Sequence, residues 1–194
     1  MAKKLTGFGK ASFASIGHLG GYRQTTVTGL DYVLKRLNEE ILGIENRSAK
    51  GLVESAVLIR NATENEAPLT PLDTGNLRAS WFVVSSEGTQ PDRLGYSGNF
   101  KKNPRTGVKA KDMQAQHSTM VGAAKATVGA LAKKGPIVIM GYSANYALFV
   151  HEMELAHPGV EWKREGSGGK WLEAAFKRNR NKIIDTVKKN ATVK

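Results

Sequence analysis

The sequence predicts an α+β domain, in which a small antiparallel β-sheet is packed with N-terminal helices and one C-terminal helix. Three observations predict this class. Apolar residues recur at helical spacing in two stretches, one near each end of the chain. Two β-branched runs, SWFVVSS and PIVIMGYSA, lie between these stretches. At 194 residues, the chain is long enough for one good core and short for two full domains.

The chain divides into an arm and a domain. Residues 1–27 contain glycine at positions 7, 9, 17, 20 and 21 and little apolar periodicity, so we expect an N-terminal arm that ends in a short strand, YRQTTVTG. Residues 28–194 are expected to form a single domain. A Lys- and Gly-rich insertion at about 88–135 interrupts it, and such length is unusual for a loop within a compact domain.

The first helical region is predicted to start at Thr28, a residue suited to cap a helix. Asp31 stands three residues later, where an acidic side chain can bond back to the cap. Two periodic apolar sets follow, namely Leu30, Val33, Leu34, Leu37, Ile41 and Ile44, and then Leu52, Val53, Ala56, Val57 and Ile59. Gly43 and Gly51 each weaken a helix by up to ~1 kcal/mol. We therefore expect two helices, or one helix bent near residues 46–51, before Pro68 and Pro71 end the run.

The later elements follow the same rules. Residues 80–86 and 136–144 are predicted strands, and YALFVHEM, 146–153, is either a short strand or a turn of helix. The segment DMQAQHSTMVGAAKATVGALAKK is a weak helix candidate, because it contains two glycines. Residues 170–187 form the last predicted helix, with one face made of Trp171, Leu172, Ala175, Phe176, Ile183 and Ile184.

Positive charge is concentrated in two blocks of a chain whose formal net charge is +12 and whose pI is about 9.9. Residues 97–135 hold 8 basic and 1 acidic residue, and residues 163–194 hold 10 basic and 3 acidic residues. Such blocks indicate contact with phosphate groups or with an acidic protein surface. A solvated surface that only keeps the protein soluble is an equally open interpretation.

Composition excludes several classes. The chain has no cysteine, which rules out disulfides, thiol catalysis and cysteine zinc sites. It has no apolar run of about 18 residues, so we expect no membrane span. The basic N-terminus lacks an apolar core segment, and we do not expect it to be a secretory signal.

The tripeptide Asp73-Thr74-Gly75 matches the active-site signature of aspartic proteases, but its context does not. Those enzymes need two carboxylates that share one proton, whereas this chain has one such motif, preceded by a helix and two prolines. A turn is the alternative. Asp73 would accept hydrogen bonds from the following backbone, Gly75 would take a positive φ, and residues 76–79 would form a helical turn.

Two other motifs are incomplete. HEMELAH separates His151 and His157 by six residues, whereas two zinc ligands on one helix face need a spacing of four. REGSGGKW lacks the first glycine and the final Ser or Thr of a phosphate-binding loop, and we expect it to be a flexible entry to the last helix. We therefore expect no enzyme activity, no catalytic residue, no metal and no cofactor.

The order of the motifs resembles the neck or head–tail joining family of tailed bacteriophages, also described as minor tail component or tail-completion proteins. The similarity covers residues of about 29–184, through GLDYVLKRLNEEI, TPLDTGNLRASW, GYSANYALFVHE and GGKWLEAAF. It implies a structural virion protein that forms a homo-oligomeric ring at the head–tail junction. The protein would be in the host cytoplasm during assembly, and its partners would be head-completion, adaptor and tail proteins. Double-stranded DNA passes through the lumen of such a ring.

The resemblance assigns roles to three sets of residues. An architectural corner would be formed by Asp73, Thr74, Gly75, Asn76, Leu77 and Arg78, with Arg78 available for an ion pair. The sheet end or a subunit contact would be lined by Tyr142, Tyr146, Val150, His151 and Glu152. The DNA channel or an acidic neighbour would be faced by Lys101, Lys102, Lys109, Lys111, Lys125, Lys133 and Lys134, in a stretch expected to be flexible in the free subunit.

Two other functions remain open. One is a basic protein that binds DNA without sequence preference, since charge alone supplies such binding. The other is a different virion position, such as a tail terminator. No membrane partner is expected.

Overall fold

A computed structural model describes residues 30–86, 88–90, 95–104, 106–153 and 162–192. The predicted N-terminal arm, the strand in YRQTTVTG and the cap at Thr28 lie outside these residues. The elements in chain order are α1 (Leu30–Asn65), α2 (Asn76–Ala79), β1 (Trp81–Ser85), β2 (Gly88–Gln90), α3 (Ala110–Leu131), β3 (Val138–Tyr142), α4 (Ala147–Glu152) and α5 (Trp171–Ala191). The predicted α+β class is confirmed.

The described strands form an antiparallel sheet in the order β2-β1-β3, with Trp81 opposite Tyr142 and Ser85 opposite Val138 at the ends of the longer ladder. All five residues of β1 are buried, because both faces of the sheet are covered. Side chains alternate between the two faces of a strand. Trp81 and Val83 pack with Ala56 of α1, whereas Phe82 and Val84 pack against α3.

Helices α1 and α5 run antiparallel beside the sheet, with Ala175 of α5 packed on Ile59 and Ala62 of α1. Of the two alternatives expected here, two separate helices are wrong, since α1 is continuous over 36 residues. Gly51 lies where the two helices come closest, and a Cβ there would be 3.0 Å from the Cα of Val187. This glycine therefore permits close packing of two helices rather than ending one.

Helix α3 replaces much of the predicted insertion loop. The weak helix candidate forms 22 helical residues, and its buried side chains are Met113, Val121, Ala124 and Val128. Its internal glycines are exposed and have open space around them, so they weaken the helix without disturbing its packing. The expectation that residues 101–134 are flexible in the free subunit is wrong for α3, because the helix covers one face of the sheet.

The ends of the chain's last two helices differ from the prediction in detail. YALFVHEM forms α4, a helix of six residues, and α5 extends to Ala191. Trp171 and Ala175 are buried as the apolar face of α5 requires. Phe176 and Ile184 were predicted on the same face but are exposed, because they flank the contact with α1 instead of facing it.

Candidate functional site

Three motifs that lie far apart in the sequence meet at one corner of the molecule, which we call the motif corner. It is formed by residues 69–81, 141–153 and 164–176, together with residues 60–64 of α1, against which they pack. Leu77 of the first motif, Ala144 and Ala147 of the second and Trp171 of the third share one apolar cluster. The backbone N–H of Ser143 also donates to the carbonyl of Ser80, at 2.8 Å.

The Asp73-Thr74-Gly75 turn has the predicted backbone. Gly75 has a φ of 87°, in the left-handed region that favours glycine, and α2 begins at Asn76. The N–H of Asn76 donates to Thr74 Oγ1 at 3.4 Å, and the N-cap position, which is a glycine, supplies no side-chain hydrogen bond. Asp73 is not the N-cap residue of α2, since Gly75 holds that position. Its exposed carboxylate pairs with Lys163.

Asn76 fastens the turn to the start of the Lys-rich stretch. Its side-chain amide donates to the carbonyl of Lys101 at 2.8 Å and accepts from the N–H of Lys101 at 2.8 Å. Asn76 is 1% exposed, so both bonds are shielded from water. Two bonds between one amide and one backbone unit fix distance and orientation together.

The carboxylate of Glu64 is the electrostatic centre of the corner, and three guanidinium groups contact it. Arg60 Nη1 lies 2.8 Å from Oε1, while Arg78 Nε and Arg164 Nη1 lie 2.7 Å and 2.9 Å from Oε2. Arg60 and Glu64 are almost fully buried. The Arg78 guanidinium also stacks on the ring of Tyr96, with 3.9 Å between its central carbon and the ring centroid.

Arg60 and Glu64 are residues that the sequence reasoning missed. Their spacing of four places them on one helix face with the buried residues Ala56 and Thr63. A pair of opposite charges within an apolar stripe was the available signal. Its partner Arg164 stands where a phosphate-binding motif has its first glycine, and the sequence does not indicate an ion pair there.

The hydroxyl of Tyr142 faces inward and joins β3 to α1. Its oxygen lies 3.1 Å from Thr63 Oγ1 and 3.1 Å from Thr70 Oγ1, and Arg60 Nη1 donates to it at 3.3 Å. The ring packs edge-on against Trp171, with centroids 5.8 Å apart. Tyr142, a candidate subunit contact by sequence, thus serves contacts within its own chain.

His151 and Glu152 connect α4 to the start of α5. The His151 ring lies edge-on to Trp171, with centroids 4.8 Å apart, and its Nε2 accepts from the N–H of Glu173 at 3.4 Å. The proton is therefore on Nδ1, which lies 2.9 Å from Glu152 Oε1. Hydrogen bonds from Lys170 and then from His151 lower the pKa of the Glu152 carboxyl. The Glu152 bond raises the pKa of Lys170 in turn.

The glycines of REGSGGKW make a tightly packed strap, which corrects the expected flexible entry. Leu69 donates its N–H to the carbonyl of Gly166 at 2.8 Å, and it forms a parallel bridge with Ser167. A Cβ on Gly169 would overlap the carbonyl oxygen of Met153. These glycines therefore hold the strap directly against the first and second motifs.

A cavity of about 560 Å³ opens beside α4, and its lining is mainly apolar. Its wall includes Pro71, Leu72, Leu77, Tyr146, Val150 and Trp162. Burial, with a smaller effect of the Asp73 charge, raises the pKa of Tyr146 to about 12. Next to the cavity, Leu148 and Phe149 are 72% and 68% exposed. The sequence reasoning named Tyr146 and Val150 here but missed these two exposed residues.

The seven lysines assigned to DNA or an acidic partner all lie on the surface. Two precede α3, two lie near its start, one lies in its middle and two lie in the 3-10 turn 132–134 that follows it. The structure does not bring them to a single point. Five of them follow α3 from its start to the turn after it, whereas Lys101 lies in the same pocket lining as Arg78.

Chemically, the motif corner is built for rigidity. In the described part of the chain, no group of three or more His, Asp or Glu side chains is placed to hold a metal ion. No described helix is long and apolar enough to cross a membrane.

The sequence matched no family model and no curated protein, and the structure matched no solved structure.

Proposed function

We propose that this chain is a structural virion protein of a tailed bacteriophage. It forms a ring at the head–tail junction, in a neck or tail-completion role, and DNA passes through the ring. Its partners are further copies of itself and the head-completion, adaptor and tail proteins on either side. It joins the particle from the host cytoplasm.

One observation carries the proposal: three of the four motifs on which the family resemblance depends are bonded to each other. TPLDTGNLRASW, GYSANYALFVHE and GGKWLEAAF pack in one apolar cluster. The N–H of Lys170 also donates to the carbonyl of His151 at 2.6 Å. Three chance matches have no reason to meet in space, whereas parts of one architectural unit do. The resemblance is thus supported as a single pattern.

The geometry of Asp73-Thr74-Gly75 supports an architectural role over a catalytic one. Asp73 is an exposed partner of Lys163, while the buried acid of the corner, Glu64, is saturated with arginine. A proton shared between two carboxylates, on which aspartic proteases depend, has no counterpart in this pairing.

The test is the position of the protein in a purified particle. A copy carrying a small C-terminal label should appear in electron micrographs as a ring between head and tail. Particles assembled with Tyr146→Ala or Glu152→Lys should contain less of the chain, although the isolated variants fold. A label found at any other position in the particle, or none there, contradicts the proposal.

A second candidate function is DNA binding without sequence preference by the isolated chain. The exposure of all seven lysines favours it, because exposed cations are accessible to phosphate. Tight duplex binding by the monomer would support this candidate. Ring formation that needs virion partners would support the first.

A further inference from the structure

The molecule presents two exposed apolar surfaces of different shape. The first is the N-terminal half of α1, residues 30–47, which is convex. Val33 and Leu37, one turn apart on one side of the helix, are 59% and 47% exposed, while Tyr32 and Leu42 are exposed on its other sides. Leu30, Leu34, Leu37, Ile41 and Ile44 recur at alternating spacings of four and three, the pattern of a helix that packs against a partner.

Helix α5 does not accompany this half of α1. The last turns of α5 lie against Gly51 and Glu54, since Asn190 Nδ2 donates to Glu54 Oε2 at 2.8 Å and α5 ends at Ala191. The antiparallel pair therefore separates near residue 48. The 18 residues before that point extend about 27 Å further.

The second surface is concave and lies beside α4. It consists of the cavity of about 560 Å³ together with Leu148 and Phe149 at its edge. A mainly apolar groove of this kind is suited to the apolar face of an amphipathic helix, which inserts side chains at spacings of three and four. Val33 and Leu37 have this spacing.

The two surfaces lie at opposite ends of the molecule. Helix α4 packs at the start of α5, through His151 and Trp171, whereas the unaccompanied half of α1 projects beyond the end of α5. The 21 residues of α5 span about 31 Å. One copy therefore cannot place its own α1 in its own groove.

We propose that residues 30–47 of one copy dock in the α4 groove of the next copy, and that this contact builds the ring. The inference deepens the proposed function and rests on it. A contact between two different surfaces is heterologous, and it generates a closed ring when the rotation between neighbours closes.

Charge also favours a second copy as the occupant. Residues 31–47 hold 4 acidic and 3 basic residues, a net of −1, in a chain whose net charge is +12. Lys163 lines the groove, Lys101 lines the adjoining pocket, and Asp73 lines both. A helix segment with a net charge of −1 thus meets a surface that carries two lysines and one aspartate.

Complementation between two variants tests the contact. Leu37→Glu removes the convex surface and Phe149→Glu removes the concave one, and both side chains are exposed, so each monomer should melt at the wild-type temperature. Wild type should form a ring in light scattering at high concentration. Each variant alone should be monomeric. Their mixture should form dimers and nothing larger, because one intact surface of each remains.

A matched control keeps this experiment specific. Met120→Glu changes an exposed apolar residue on α3, outside both surfaces, and should leave the ring intact. Loss of the ring in that variant, a monomeric wild type at every concentration, or a mixture that stays monomeric would overturn the proposal.

A crosslink locates the contact and separates it from the proposed function. Because the chain has no cysteine, Leu37→Cys and Phe149→Cys each introduce a single thiol. A short bis-maleimide should join the two variants only in their mixture. A crosslink within the Leu37→Cys sample alone indicates a two-fold α1 contact and overturns the proposal. Mixed crosslinks in a chain that particles lack would refute the virion role and keep the contact.

Discussion

The two faces of strand β1 are covered in different ways. On one face, Trp81 lies under Arg60, whose guanidinium carbon is 5.4 Å from the ring centroid and whose partners are polar and buried. On the other face, Phe82 and Val84 meet Val121, Ala124 and Val128 of α3, which are small and apolar. One face is held by hydrogen bonds and ion pairs, which are directional, and the other is held by apolar contact, which depends on buried area and on shape.

This difference predicts different tolerance to substitution. Hydrogen bonds and ion pairs need partners at set distances and angles, so removal of one partner leaves another buried and unsatisfied. Apolar contact is non-directional, and changes that keep the volume are absorbed. We therefore expect the largest effects at the motif corner and the smallest on the α3 side.

The largest effect is expected at Glu64. Glu64→Gln keeps the shape but removes the charge that three guanidinium groups contact. Breaking a buried pair in this way lowers the free energy of unfolding by about 3–5 kcal/mol. Urea unfolding of the variant and the wild type measures it.

The matched control is Glu39→Gln on the same helix, where the exposed Glu39 pairs with Lys35 across 4.0 Å. Exposed pairs contribute about 0–1 kcal/mol, so this variant should unfold close to wild type. Equal losses of stability from the two substitutions would show that the corner is not held by its buried charge.

Alanine substitutions at two glycines, one in each region, should change the stability of the protein in opposite directions. Gly169→Ala drives a Cβ into the carbonyl oxygen of Met153, and overpacking of this kind destabilises by about 1–3 kcal/mol or more. Gly122→Ala on α3 meets nothing within 4 Å and should stabilise by about 0.4–1 kcal/mol. Thermal melting of both variants decides the signs, and a stabilised Gly169→Ala would contradict the packed strap.

A smaller, pH-dependent effect is expected at His117, where α3 meets the second motif. Its Nδ1 lies 2.8 Å from Ser143 Oγ. Burial lowers the pKa of His117 below its ordinary value of 6.5, and a backbone hydrogen bond at Ser80 opposes this only in part. Below pH 6.5 the unfolded chain takes up the proton more readily than the folded chain, so stability is full above 6.5 and declines as the pH falls.

Removing the imidazole should remove this dependence. The melting temperature of His117→Gln should fall less than that of wild type when the pH is lowered from above to below 6.5. The comparison uses the difference between the two pH values, so any constant destabilisation by the substitution cancels. Parallel curves for the two proteins would mean that another group carries the acid sensitivity.

The smallest effect on folding is expected from the exposed lysines. Replacing Lys109, Lys111, Lys133 and Lys134 with glutamine should leave the melting temperature nearly unchanged, because exposed charges contribute little to stability. Duplex DNA binding should weaken, and its salt dependence should flatten by roughly one slope unit for each phosphate group that the variant no longer neutralises. An unchanged slope with defective particles points to an acidic protein partner instead.

Local patterns were enough to predict the α+β class, both longer strands and the backbone of the Gly75 turn. The sequence could not decide between two helices and one bent helix for α1, because propensity treats Gly51 as a weak point, whereas the close approach of Val187 is what selects glycine there. The Glu64 cluster was hidden for a similar reason. Its arginines come from positions 60, 78 and 164, and only the fold brings them to one carboxylate.

The unequal packing of α1 divides one helix into two kinetic classes of amide. The residues beside α5 open only with the core, so their N–H groups should exchange with deuterium as slowly as global unfolding allows. The first 18 residues of α1, 30–47, carry a comparable hydrogen-bond ladder without α5 beside them, and most helical stability in proteins comes from tertiary packing. They should exchange far faster in the free subunit. If these amides become protected only on assembly, their exchange would measure directly the fraction of subunits whose contact with a neighbour is formed.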